Sequence, residues 1–379
     1  MSGRLKGGGM ELSERGAGRK GRAEISERKA QHVEICVDGQ SYAVESGESG
    51  FASVRFVHHA LPEIDERTVD TSLEFLGHRV ALPLFVSCMT GGSAVGDRIN
   101  RGLAAAAQSA HIPVGMGSFR ILFRDEGYFD QFHVKRFAPD VPVIANLGAV
   151  QVREIEPQRI VAMVKRLEAQ ALAVHLNPGQ ELFQPEGDRD FRGLKEAIAR
   201  LCEQSSVPII VKETGFGIRP ADVDFLLAAG AAYVDVAGAG GTNWARVESY
   251  RLAAEEAAVA REFDDWGIPT AALLLALRDR PRPLLASGGI RSGVDVAKAL
   301  ALGAAMAGLA LPFIRAVAEG GEEGVGRLIA SLTRSLRAAM TLAGCRDLAA
   351  LRRSPLLIDP SLRETASLLR EAEREVDQA

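Results

Sequence analysis

Between about residues 80 and 315 the chain repeats one pattern: a short apolar run, a polar or glycine-rich corner, then an Ala/Leu-rich stretch with helical spacing. The runs are Pro83–Ser87, Pro113–Gly117, Pro142–Asn146, Leu172–Asn177, Pro208–Lys212, Ala232–Ala237, Leu284–Ser287 and Ala305–Ala310. Their shortness, continuous apolarity and Pro or Gly borders predict buried parallel strands. Helical patterns fill the gaps over Asp97–Ala110, Pro157–Gln170, Asp190–Gln204, Ala221–Ala229 and Ser292–Leu302. Ser292 with Asp295 three positions on, and Pro157 in a first turn, are helix-start signals. Eight strands alternating with helices predict an α/β fold, a closed (β/α)8 TIM barrel in one domain. A doubly wound sheet is the competitor, but the first strand–helix turn reads Met89-Thr90-Gly91-Gly92 and carries no GxGxxG. Thr68–Val80, with Gly77 inside it, reads as a hairpin entering the barrel from below. Leu328–Leu342 and Asp359–Val376 read as trailing helices, the second highly charged and expected to dock loosely.

Composition narrows the function classes. The chain has 379 residues, 47% hydrophobic and 25% charged, an ordinary globular balance. A net charge of −4 gives no global pull toward nucleic acid or anionic membrane, so anion binding must be local. Cys36, Cys88, Cys202 and Cys345 form no CxxC pair, which argues against a zinc site or disulfide framework and fits a reducing cytosol. No apolar stretch reaches membrane-spanning length. Residues 1–25 lack an apolar h-region, and Glu11, Glu14 and Glu24 interrupt their basic character. The expected organisation is therefore a disordered tail (1–25), a barrel with an N-terminal lid segment (26–345) and a C-terminal helical tail (346–379), in the cytoplasm.

Chemistry in such barrels collects at the carboxyl ends of the strands. Nearly every run here ends in polar, charged or glycine residues. Ser287-Gly288-Gly289-Ile290-Arg291, followed by a helix and then by Ala307-Gly308 one unit later, reads as a phosphate cradle: glycines let amide groups approach, and Arg291 adds charge. Lys212 faces the mouth as a Schiff-base amine or as a charge partner for an electron-rich ring. Glu213 is expected to point the other way by strand alternation. The loop Gly238–Trp244 offers glycines for close approach, the Thr242 hydroxyl and Trp244 as a lid. Glu248 and Arg251 are expected to pair at i,i+3 and order this loop. His175 through Asp188 is dense in carboxylates and amides, with Glu181 the best Mg²⁺ ligand. Arg120 ends the second strand, and Arg28-Lys29 could close over a diphosphate.

Taken together, Arg28-Lys29-x-x-His32, Met89-Thr90-Gly91-Gly92, Gly117-Ser118-x-Arg120, Ala145–Gln151, His175-Leu-Asn177-Pro-x-Gln180-Glu181 through Asp188, Val211–Gly217, Gly240–Trp244, Trp266–Thr270 and Ala286–Arg291 occur in one order. In that order they closely resemble the type 2 isopentenyl-diphosphate isomerases over about residues 26–345. The resemblance implies an FMN enzyme interconverting isopentenyl and dimethylallyl diphosphate. It also implies Mg²⁺ and NAD(P)H to keep the flavin reduced, no net redox change, and a homo-oligomer, tetramer or octamer. Carried over position by position, Met89, Thr90, Gly91, Ser118, Asn146, Lys212, Thr242, Gly288, Gly289, Arg291, Ala307 and Gly308 are its flavin contacts. Arg28, Lys29, Ser118, Arg120, Asn177 and Gln180 are its substrate contacts, and Glu181 its metal ligand. Gln180, Lys212 and His175 make the catalytic set, with Gln180 an orienting group or relay. The pattern departs at Phe119, where the family often has an amide or another non-aromatic residue.

Two other readings compete. An FMN barrel oxidoreductase of the hydroxy-acid oxidase kind wants a basic histidine beside an arginine, and no histidine here sits in an HGxR-like element. A non-catalytic flavin-binding sensor would need no Arg28/Glu181 set.

Overall fold

The computed structural model describes residues 27–278 and 283–376. The segment expected to be a disordered tail lies outside the described residues. Eight parallel strands close into a barrel: β1 (Leu84–Val86), β2 (Val114–Ser118), β3 (Val143–Gly148), β4 (Ala171–His175), β5 (Ile209–Lys212), β6 (Tyr233–Asp235), β7 (Leu284–Ala286) and β8 (Met306–Leu309). Each pairs with its neighbour in sequence order, and β8 closes on β1 through Ala307↔Leu84 and Leu309↔Val86. All eight predicted strands are present. Their continuous apolarity follows from burial on both faces, the inner filled by side chains and the outer covered by helices.

Inside the barrel, Phe85, Ile144, Ala173, Ile210, Leu285 and Met306 form one core with Phe75 and Val80. The last two come from the predicted hairpin, Leu73–Phe75 with His78–Val80, which plugs the bottom. Its corner, Leu76-Gly77, has positive φ at both residues, as a two-residue hairpin turn requires. Phe75 packs against Tyr233 at 5.1 Å between ring centroids. Truncating such a ring to alanine costs about 3–5 kcal/mol. With the bottom sealed, the barrel opens to a ligand at its carboxyl ends.

The helices depart from the sequence pattern at their ends. The predicted Asp190–Gln204 helix starts at Leu194, because Gly193 sits at φ 73° as its cap and Asp190 folds back onto the Arg192 amide. The trailing helix expected over Leu328–Leu342 is the second half of a helical run, Leu311–Leu342, kinked where Gly320 and Gly321 leave helical geometry. The helix Pro360–Val376 is not loosely docked. Leu362 and Ala366 are buried, and Arg370 donates to the carbonyls of Leu275 and Ala276 at the end of the barrel helix Thr270–Leu277. Leu356–Ile358, just before it, pairs antiparallel with Val54–Phe56. Arg363 and Glu364 are on its outer side, while Leu362 and Ala366 face the barrel. All four cysteines are free, as expected. Among the described residues no helix is long and apolar enough to cross a membrane.

Candidate active site

One deep cavity opens at the carboxyl ends of the strands, and residues from all eight βα units and from the segment before the barrel line it. A helix over residues 27–37 lies across its mouth and contributes Arg28, Lys29, His32 and Cys36. Read alone, an Arg-Lys pair near a basic terminus suggests solvated surface, yet Arg28 is only 8% exposed.

At one end is the glycine turn after β7. Gly288 and Gly289 have φ of 95° and 72°, which favour glycine, and a Cβ on Gly289 would stand 2.4 Å from Ser49. The buried Thr270 hydroxyl donates to the Gly288 carbonyl at 2.8 Å and props the turn from below. The helix Gly293–Ala301 follows, with the predicted capping box between Ser292 and Asp295. The Arg291 guanidinium is already engaged: its Nε donates to Glu45 at 2.9 Å, and Arg315 lies 3.7 Å from the other oxygen of that carboxylate. Thr242 and Gly308 line the same end. Around the middle, Ser87 and Ser118 present buried hydroxyls that find no hydrogen-bond partner among the described residues.

Arg28, Lys29 and Arg120 gather at the other end. Arg28 reaches Glu186 at 3.3 Å, and Lys29 Nζ lies 3.5 Å from the Ser118 carbonyl. Burial, then Arg120 and Arg28, lower the Lys29 ammonium to about 7. Burial, then Arg28, also lowers Arg120. Three cations held this close are chemically able to bind a multiply charged anion.

Beside this cluster the short helix Pro178–Glu181 positions Gln180 and Glu181. Glu181 accepts from Asn177 Nδ2 at 3.0 Å and from the Asp188 amide at 2.9 Å. Among the described residues no group of three His, Cys, Asp or Glu side chains is placed to hold a metal. Gln180 donates through Nε2 to Glu248 at 3.0 Å. Glu248 is fully buried, and also meets His32 at 2.9 Å and Arg251 at 2.6 Å. The expected Glu248–Arg251 pair is present, but its larger role was missed. The i,i+3 spacing was legible; the links from Glu248 to Gln180 and His32, far apart in sequence, were not.

His175, at the end of β4, sits with Nδ1 3.0 Å from Asn146 Oδ1. Burial, then Lys212, Arg120 and Lys29, lower this imidazole to about 3. It is neutral at physiological pH, a weak base, and orients Asn146. Lys212 is 7% exposed and donates to the Glu213 carbonyl at 2.6 Å. Glu213 does not point away. The strand ends at Lys212, so alternation no longer applies. The Glu213 carboxylate turns back to accept from the Gly215, Phe216 and Gly217 amides at 2.6, 2.5 and 3.1 Å.

Most predicted site residues therefore meet in one cavity. Gly91 and Ala307 do not line it: a Cβ on Gly91 would strike Phe132, and Ala307 is wholly in the core. Phe119 also faces away, fully buried 5.7 Å from Phe123 between ring centroids.

Residues 22–122 and 149–358 match the FMN-dependent dehydrogenase family. The chain is 41% identical over 339 residues to the isopentenyl-diphosphate delta-isomerase of Borreliella afzelii, covering 89% of this chain and 95% of that protein. It is 45% identical over 343 residues to the protein of that name from Synechococcus sp., covering 88% and 97%. Among solved structures, a mandelate oxidase mutant with a monooxide FMN adduct superposes with a TM-score of 0.60 at 20% identity, over 86% of this chain and 99% of that one. A Pediococcus acidilactici lactate oxidase gives 0.58 at 18% identity, over 89% and 94%. The oxidase likenesses show the barrel alone. The curated relatives show more: the chain belongs to the FMN-dependent dehydrogenase family and, within it, to the type 2 isopentenyl-diphosphate delta-isomerases.

Proposed function

We propose that this protein interconverts isopentenyl and dimethylallyl diphosphate, with FMN at the glycine end of the cavity, the substrate diphosphate at the basic end and Mg²⁺ at Glu181. The observation that carries the reading is the polarity of the cavity: a glycine turn at one end, three crowded cations at the other, and Gln180 fixed by a buried carboxylate beside them. FMN fits the first end. The Ser87 and Ser118 hydroxyls need partners, the Gly288-Gly289 turn has the backbone freedom to approach phosphate, and Lys212 suits a ring edge that carries negative charge. When bound and reduced, FMN supplies an electron-rich ring that stabilises positive charge and exchanges a proton. Mg²⁺ fits Glu181, because this ion commonly takes one or two carboxylates and completes its shell with phosphate and water.

The side chains divide the work. Arg28, Lys29 and Arg120 bind the diphosphate, supplying binding energy remote from the reacting carbons. Asn177 holds the Glu181 carboxylate in place. Glu248 fixes the Gln180 amide by a charge-assisted bond, so that Gln180 orients rather than titrates. The helix over residues 27–37 closes the mouth and excludes water. NAD(P)H is the reductant in this reading, and the resemblance supports a cytoplasmic homo-oligomer, which native mass and fractionation test.

The hydroxy-acid oxidase reading needs a basic histidine. Of the seven, only His32 and His175 line the cavity; the first is tied to Glu248 and the second is lowered to about 3. The deciding assay incubates the protein anaerobically with isopentenyl diphosphate, Mg²⁺ and NADPH, beside a parallel hydroxy-acid incubation. Isomerisation without stoichiometric NADPH use is expected. Flavin reduction by a hydroxy acid would replace the reading with an oxidase, and bound flavin with no turnover would replace it with a sensor.

A further inference from the structure

The floor of the cavity holds a buried carboxylate for which the chemistry above has no use. Asp235, the last residue of β6, is 1% exposed and does not line the cavity. It stands opposite Lys212 across the β5–β6 ladder. On its other side the Ser287 hydroxyl, at the head of the glycine turn, lies 2.8 and 2.9 Å from its two oxygens. Backbone amides add to this, that of Ala237 at 3.3 Å and that of Ser287.

Lys212 has two acidic neighbours, and they differ. The Glu213 carboxylate is satisfied by three amides of its own turn. Asp235 has the Ser287 hydroxyl and the amides of Ala237 and Ser287, and among the described residues no cationic side chain within ion-pair distance, an unfavourable setting for an isolated charge out of water. Burial raises its carboxyl, and Lys212 is the first influence that opposes this. Lys212 is also felt by Cys88 just past β1, by His175 on β4 and by Glu213. Of these, His175 is neutral and burial pushes the Cys88 thiol up to about 12, so neither brings a compensating negative charge.

We propose that Asp235 is a positioning residue: the buried counter-ion of Lys212 and at once the anchor of Ser287, so that one carboxylate fixes the cationic and the phosphate-binding sides of the flavin site relative to each other. This rests on the flavin reading only for its consequence; the charge pair is a property of the chain itself. Without Asp235, the Lys212 ammonium keeps only Glu213 as an acidic neighbour, a carboxylate already held by three amides, and shifts from the ring edge it would face.

The test is a double-mutant cycle on the full-length protein, read twice. In the flavin-free protein, Lys212→Met leaves the Asp235 charge unmatched and lowers the melting temperature. Adding Asp235→Asn to it should recover more than half of that loss. Melting losses that simply add would overturn the pair, whatever cofactor the chain binds. In FMN titrations, Asp235→Asn should weaken binding at least tenfold, although asparagine still accepts from Ser287. An unchanged affinity in a protein whose cycle is non-additive would overturn the flavin-positioning role and leave the flavin reading standing. FMN binding to neither parent nor variants would sink that reading instead, with the melting cycle still deciding the pair. If Asp235→Asn alone does not fold, the double variant decides: a cooperative melt supports the pair, and an unfolded double variant overturns it.

Discussion

Glu248→Gln is the most informative single change. The carboxylate is fully buried and holds His32, Gln180 and Arg251 together. Removing one partner of a buried ionic cluster costs about 3–5 kcal/mol. Glutamine keeps the shape and one acceptor, and Arg251 retains Glu186 at 3.2 Å, so the cost falls below that range, to about 2–3 kcal/mol. With an unfolding entropy of roughly 2.1 cal/mol/K per residue, a chain of this length loses about 3–4 °C of melting temperature. Activity should fall further than stability explains. Trading a charge-assisted bond for a neutral one loosens Gln180 by about 1–2 kcal/mol, or roughly 5–30-fold in kcat/KM. The acid dependence has a definite sign. Burial pushes the Glu248 carboxyl up, but the bond and charge of His32, then Gln180 and Arg251, outweigh it and hold it below the usual range. Its stabilisation is complete above the ordinary carboxylate value and is lost as pH falls through the depressed one. The melting deficit of the variant should thus be full at neutral pH and shrink in acid. A variant melting within a degree of the parent at neutral pH, with kcat/KM within twofold, would refute this account of Gln180.

The other expectations concern the two ends of the cavity. Lys29→Met should raise the melting temperature of the ligand-free protein near pH 6, and the gain should vanish toward pH 10. A lysine lowered to about 7 penalises the fold while charged, so parent stability rises with pH between that value and the ordinary one. The same variant should lose diphosphate affinity, measured by titration with inorganic diphosphate. Lys212→Ala should lose activity and weaken flavin binding; full activity at normal flavin content removes its role. Glu181→Gln should raise the Mg²⁺ needed for half-maximal rate sharply, and an unchanged metal titration removes it as ligand. Gly289→Ala, placing a Cβ 2.4 Å from Ser49 at a left-handed φ, should weaken FMN binding at least tenfold in fluorescence titration, with the melting temperature following.

The barrel was legible because its strands are short, local and apolar throughout, and because the glycine and polar corners recur at every strand end. Family motifs then supplied roles that spacing alone left open, Arg28 and Lys29 above all. Reading failed where a residue leaves its element. Glu213 escapes strand alternation by one position and turns inward onto three amides. Phe119, flagged as a departure from the pattern, is turned into the core by the turn Arg120–Phe123 that follows it. Gly91 and Ala307 belong to motifs that line the cavity without lining it themselves.

By itself, the sequence determined the order of elements, the closed parallel sheet, the glycine turn after β7 and the set of polar groups at the mouth, since each depends on periodicity or on neighbours within a few residues. Only the tertiary structure decided which charges meet. Glu248 reaches Gln180 and His32, Asp235 stands opposite Lys212 in the ladder and binds Ser287, and Glu45 engages Arg291, each across long stretches of chain. Electrostatic partnership in a buried site is set by distance and desolvation after closure, and no local pattern encodes either quantity.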